Sequence, residues 1–251
     1  MKILNLTDNN FPTNRPIINI FWNKEFDKER NSISWIMDSS ISSSKIVKIK
    51  NSNPNVFLFN RNSFSKSKFF SQFLYLIARY NFIKNFIKRN KIDLVNVHDS
   101  VFDCFLMILL SKKLQIKFAL TYTAPFIQLK KHAMSNTSFL DKFPKSLSFL
   151  FYKLIFTFSF LKCNILHPIS SSLSNKLVKN HSLNPDKVVP ISESANNSFL
   201  NFDYNGTELP NSILYLGDLR SYRNIPFLLD CIGEVSNVVK NLKLYLIGSS
   251  P

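Results

Sequence analysis

Short apolar runs alternate with longer amphipathic segments along nearly the whole chain, and few folds accept that alternation. Residues 3–6, 33–37, 56–59, 92–97, 116–121 and 164–167 read as strands, each only a few residues long and rich in Ile, Val, Leu or Phe. Between them, residues 17–30, 102–114 and 141–161 read as helices. So does the segment carrying Phe69, Phe73, Leu76, Tyr80, Ile83 and Ile87, whose apolar positions recur at three- and four-residue steps with Lys66, Lys68, Arg79, Lys84, Lys88 and Arg89 interspersed. The run IDLVNV, residues 92–97, reads as a strand buried on both faces. A helix over about 173–179 follows, with Ser170, Ser171 and Ser172 offering the N-cap oxygen, and then a short strand over 187–191. Strands separated by helices of ten or more residues imply βαβ units and a mainly parallel sheet, with ligands at the carboxyl ends of the strands. Those ends fall at residues 6–8, 98–100, 122–125, 167–170 and 191–194.

The stretch NFDYNGTELPNS clusters Asn, Gly, Pro and Ser as a linker does, which divides the chain into a first domain over 1–200, a linker over 201–211 and a second domain starting at 212. In that second part, residues 213–216 and 242–247 read as strands and 226–239 as the helix between them. One βαβ unit has too little core to stand alone, so the chain is expected to stop within its second domain. Leu94, Val97, Leu214, Leu216, Leu244 and Leu246 are expected in the core.

Composition narrows the function only a little. The 251 residues are 45% hydrophobic, enough for real cores, and carry a formal charge of +16, which points to an anionic partner: nucleic acid, a lipid surface or a phosphorylated substrate. The lysines are scattered among Asn, Ile, Phe and Ser, not gathered in one patch. A nucleic-acid-binding protein is a rival reading carried by charge alone; RNA-recognition aromatics, zinc-finger spacing and a helix-turn-helix signal are missing. Cys104, Cys163 and Cys231 are far apart in apolar contexts and read as buried thiols of a reducing, cytoplasmic compartment. His98, His132, His167 and His181 form no metal-ligand spacing, and neither a structural metal nor a cofactor is expected.

The N-terminal apolar run breaks at Asn5 and is too brief for a signal peptide. The most membrane-like stretch, residues 146–166, is interrupted by Lys153 and Lys162, which disfavours a spanning helix. The aromatic segment over 147–161 and the basic helix over 66–91 are candidates for resting on an anionic bilayer at the inner membrane face. The plainer alternative, favoured by periodicity, is that both helices bury their apolar faces in the first domain.

In ILYLGDLRSYRNI, residues 213–225, a strand runs into one of only four glycines in the chain, and two arginines follow. A strand that ends in glycine and opens a helix brings backbone close to a phosphate. A plain turn with solvated cations reads the same way. The ordered set LVNVHD, HPISSSLSNKLVKNHSLNPDKVVPISESANNSF and ILYLGDLRSYRNIPFLLDCIGEVSNVVKNLKLYLIGSSP resembles glycosyltransferase family 4 over almost the whole chain. The resemblance implies a GT-B fold: a Rossmann-like acceptor-side domain, and here the first βαβ unit of a second Rossmann-like domain that holds a nucleotide-sugar donor across a cleft. It implies sugar transfer with retention, independent of metal, to a sugar or lipid-linked acceptor, with the leaving diphosphate helping to deprotonate the acceptor hydroxyl.

On that resemblance the donor diphosphate approaches Gly217 and is neutralised by Arg223, the main candidate, and by Arg220. The family pattern has a basic residue after the first glycine and Lys-Gly a few positions on. Here Asp218 stands in the first place, and Arg223 and Asn224 stand in the other two. Glu193 is a candidate for facing the cleft, although Ser192, Ser194 and Asn196 replace the residues usual around it. Gly248 and Ser249 end the next strand and are donor-side candidates, or simple loop chemistry. His98 and Asp99 end a strand on the acceptor side and are candidate catalytic residues; the bland reading of His98 is a histidine satisfied by backbone. The family's paired glutamates would fall beyond residue 251, so a non-catalytic glycosyltransferase-like chain stays open as the alternative to an enzyme.

Overall fold

Alternation of apolar and polar side chains along the central strands produces a sheet with two different faces. The computed structural model describes residues 1–10, 32–38, 46–49, 55–60, 68–123, 139–191, 206, 209–217, 219 and 223–248. The chain divides into two compact units, Met1–Leu200 and Asn201–Pro251. In the first, β1 (Lys2–Asn10), β2 (Ser32–Asp38), β3 (Ile46–Lys48), β4 (Asn55–Phe59), β5 (Leu94–His98), β6 (Lys117–Tyr122) and β7 (Ile165–Pro168) form a seven-stranded sheet in the order β3-β4-β2-β1-β5-β6-β7. All neighbours are parallel except β3, which pairs antiparallel with β4 at the edge and was not expected from the sequence. The helices are α1 (Lys68–Asn90), α2 (Val101–Leu114), α3 (Phe139–Lys162) and α4 (Ser171–His181). The helix expected over 17–30 lies outside the described residues.

The connections from β4 to β5, β5 to β6 and β6 to β7 all step the same way across the sheet, so right-handed crossovers place α1, α2 and α3 on one face. Leu4, Leu6, Ile36, Val95, Val97, Phe118, Leu120 and Leu166 point to that face and join Ile83, Met107, Leu110, Phe156 and Phe160 of the helices in the main core. On the opposite face an apolar cluster of Ile33, Trp35, Met37, Val56 and Leu58 sits toward the β4 side. Across β1, β5 and β6 that face carries Asn5, Thr7, Asn96, His98 and Thr121. The strand read as buried on both faces has Val95 and Val97 in the main core and, on its other face, half-buried Leu94 and Asn96 followed by buried His98.

Two further expectations are corrected within this unit. The buried stripe of α1 runs Tyr75, Arg79, Ile83, Ile87 at four-residue steps, so Arg79 is inside while Phe73 is exposed. Residues 187–191 form no strand: Pro185–Lys187 is a 3-10 turn, and only Val188 bridges to Leu166. Val189 and Ile191 still donate to the Leu166 and Pro168 carbonyls, but Pro190 between them has no N–H to extend a ladder.

The second unit contains β8 (Ser212–Leu216), α5 (Ile225–Ser236) and β9 (Lys243–Ile247), with β8 and β9 parallel and in register from Ser212 opposite Lys243 to Leu216 opposite Ile247. No described residue of these elements is buried, and Leu214, Leu216 and Leu246, expected in the core, are exposed. Two strands and one helix offer each other too little apolar area to enclose a side chain. Cys104 and Cys163 are buried as expected, whereas Cys231 on α5 is exposed for the same reason. Among the described residues no helix is long and apolar enough to cross a membrane.

Candidate functional site

The carboxyl edge of the first sheet is organised around a buried arginine that sequence periodicity assigned to the polar face. Arg79 is fully enclosed, and each nitrogen of its fork has an oxygen partner. Nε donates to Asp103 Oδ1 at 2.6 Å and Nη2 to Asp103 Oδ2 at 2.8 Å, a bidentate pair. Nη1 donates to Asp38 Oδ1 at 2.8 Å and to the Tyr75 hydroxyl at 2.8 Å, and Nη2 also reaches the Thr7 carbonyl at 2.9 Å. Tyr75 in turn donates to Asp38. Burial by itself disfavours the charged guanidinium, but Asp103, Tyr75 and Asp38 outweigh it and hold its proton affinity well above the ordinary value. Burial likewise pushes the Tyr75 phenol far up, so it stays a donor. The cluster ties the ends of β1 and β2 to α1 and to the first turn of α2, where the Asp103 carboxylate also meets the positive end of the helix dipole.

His98 and Asp99 end β5 beside this cluster in sequence but face different surroundings. His98 is 2% exposed; its Nε2 lies 2.8 Å from Asn96 Nδ2 and 3.2 Å from Asn5 Oδ1, and its ring packs against Trp35. Thr121 Oγ1 donates to Asn96 Oδ1 at 3.2 Å, extending the network to β6. By register, Thr7, His98, Thr121 and His167 form one rung across β1, β5, β6 and β7. Asp99 adopts φ of 54°, a left-handed conformation that Asp tolerates better than most residues. Its carboxylate accepts the Thr123 amide at 2.8 Å and the Thr123 hydroxyl as well, locking the end of β5 to the end of β6. Ser100 then caps α2 by accepting the Asp103 amide at 3.1 Å, and Ser170 caps α4 by accepting that of Leu173 at 3.2 Å.

In the second unit the strand-end glycines meet. Gly217 donates to the Ile247 carbonyl at 2.9 Å and has φ of 157°, which side chains rarely adopt. A Cβ on Gly248 would sit 1.7 Å from the Gly217 carbonyl oxygen, so only glycine fits there. Two adjacent strands thus present bare backbone at their carboxyl ends. Arg223 is exposed on the loop leading into α5. Asn224, which precedes α5, takes φ of 53°, a left-handed conformation that Asn tolerates better than most residues. Asp218, Arg220, Ser249 and Glu193 lie outside the described residues.

Asn5, Thr7, Arg79, Asn96, Thr121 and Thr123 were not singled out as site residues from sequence. The polar letters alternating with valines in LVNVH were a legible signal for Asn96; nothing local marked Arg79 apart from its neighbours.

No family model matches the chain, and no curated protein matches it. Solved structures do match over its whole length. Sucrose-phosphate synthase from Thermosynechococcus elongatus superimposes with a TM-score of 0.62 at 10% identity, covering 100% of this chain and 63% of that one. A glycosyltransferase from Rickettsia africae gives 0.54 at 15% identity, covering 98% and 59%. UDP-GlcNAc 2-epimerase from Methanocaldococcus jannaschii gives 0.50 at 14% identity, covering 98% and 65%. The fold is that of GT-B proteins, and the chain spans less than two thirds of the length of these matches.

Proposed function

We propose that this chain belongs to a family 4 type glycosyltransferase and transfers a sugar from a nucleoside diphosphate donor to a glycan or glycolipid acceptor, with retention and without a metal. The observation that carries the reading is the glycine pair: Gly217 and Gly248 abut at the ends of β8 and β9, leaving backbone that a diphosphate can approach, with Arg223 and the start of α5 following on the same connection. Asn224 takes a left-handed conformation at the position that the family pattern gives to glycine, which supports the reading. Likeness of the fold to a glycosyltransferase and to sucrose-phosphate synthase is consistent with this assignment.

In this mechanism Arg223 pairs with the diphosphate and neutralises charge as it leaves, joined by Arg220, and Gly217 and Gly248 let the diphosphate come close to the backbone, with Asp218 and Ser249 beside them in sequence. The acceptor hydroxyl gives its proton to the departing diphosphate, and His98 and Asp99 are the acceptor-side residues of this reading. His98 is enclosed by Asn5, Asn96 and Trp35, so it acts by holding neighbours in place, and Asp99 acts by setting the Thr123 backbone.

Calorimetric titration with UDP, GDP and their sugar conjugates tests the reading, on this chain and on Arg223→Ala. Binding of one nucleotide, weakened about ten- to hundredfold by Arg223→Ala and unaffected by EDTA, is the expected result, since a charge-assisted hydrogen bond contributes about 1.5–3 kcal/mol. Absence of binding by any nucleotide to a folded chain would overturn it. Asp218, which stands where the family has a cation, favours the second reading of a non-catalytic glycosyltransferase-like chain. Nucleotide binding without sugar transfer or donor hydrolysis identifies that case.

A further inference from the structure

Helix α3 is apolar on two opposite sides. Ile155, Phe156, Ser159 and Phe160 are buried against the sheet, while Leu150, Phe151, Leu154, Phe158 and Leu161 lie on the outer side between 42% and 51% exposed. Leu150, Leu154, Phe158 and Leu161 follow one another at four-, four- and three-residue steps, which stacks them into a single stripe. A helix apolar all round normally has both sides covered. The patch extends onto α2: Phe105 packs beside Phe151, and Leu109, one turn further along α2, is also exposed. Exposed lysines border it, Lys153 and Lys162 on α3 and Lys112 and Lys113 at the end of α2.

We infer that this α3 stripe seats the protein on an anionic lipid bilayer, its apolar residues entering the headgroup boundary and its lysines meeting the lipid charge. From Leu150 to Leu161 the stripe is about 16 Å long at 1.5 Å per residue. That is too short to cross hydrocarbon about 30 Å thick but suits a helix lying in the interface. Charge selects this occupant over a second copy of the chain. Pairing two such faces brings the same lysines together in a chain of formal charge +16, whereas an anionic surface attracts all of them. The inference does not depend on the donor reading, because it needs no nucleotide and no turnover.

The test is co-sedimentation of the full chain with vesicles of phosphatidylcholine alone and of phosphatidylcholine with 40% phosphatidylglycerol, at low and high salt. Expected are strong partitioning onto the anionic vesicles, little onto the neutral ones, and weakening by salt. The double variant Leu154→Glu, Phe158→Glu should lose at least tenfold in partitioning while keeping its circular dichroism and melting temperature, since both side chains are already exposed. Lys153→Glu with Lys162→Glu, which leaves the apolar stripe intact, should lose severalfold and become less salt-sensitive. Failure of a folded wild-type chain to bind anionic vesicles, equal binding to neutral ones, or binding untouched by the Leu154/Phe158 pair would each overturn the inference. So would concentration-dependent self-association that the same pair abolishes in the absence of vesicle binding.

Discussion

Replacing Arg79 by Met keeps a side chain of similar length but removes the cation that faces two carboxylates. Asp103 is fully buried and Asp38 nearly so, and the Thr7 carbonyl and the Tyr75 hydroxyl lose a donor with them. Removing one partner of a buried pair costs about 3–5 kcal/mol, because the remaining charge stays in low dielectric. With a urea slope of about 2 kcal/mol per molar, the unfolding midpoint of the first unit should fall by about 2 M, read by far-ultraviolet circular dichroism. Arg79→Lys keeps the charge but cannot reach both oxygens of Asp103 together with Asp38, so it should fall between wild type and Met. Adding Asp103→Asn to Arg79→Met should cost less than the sum of the two single changes by about 2 kcal/mol, the sign of direct coupling. A loss below about 1 kcal/mol for Arg79→Met, or strict additivity with Asp103→Asn, would show that the cluster is solvated in solution and that the argument from burial fails.

Three further outcomes follow from the geometry and burial. Gly248→Ala forces the ends of β8 and β9 apart, so the Gly217 amide should exchange with deuterium much faster, whereas Gly233→Ala, which meets no atom within 4 Å, should stabilise α5 by about 0.5–1 kcal/mol. Burial pushes the Cys163 thiol up to about 11 against the opposing pull of Lys187, and Cys104 well above its ordinary value, so iodoacetamide at pH 8 should label Cys231 alone, with all three thiols reacting in denaturant as mass spectrometry counts them.

Local pattern determined the main elements of this protein. Strands and helices fall within a few residues of the apolar runs that announce them, because a parallel sheet under a helical layer demands those two periodicities and little else. Gly217 was legible as a special position because glycine is rare in this chain; the reason for Gly248 was not, since the Gly217 oxygen it must avoid belongs to another strand. The Ser100 cap sits three residues before Asp103, yet only the folded chain shows that this aspartate also receives Arg79 from another helix. Tertiary structure likewise decided that the apolar strands of the second unit stay exposed and that α3 keeps an uncovered apolar side. Hydrophobic periodicity reports which residues favour leaving water. Whether a partner arrives to cover a leucine or to neutralise an arginine depends on residues distant along the chain, and only the fold brings them together.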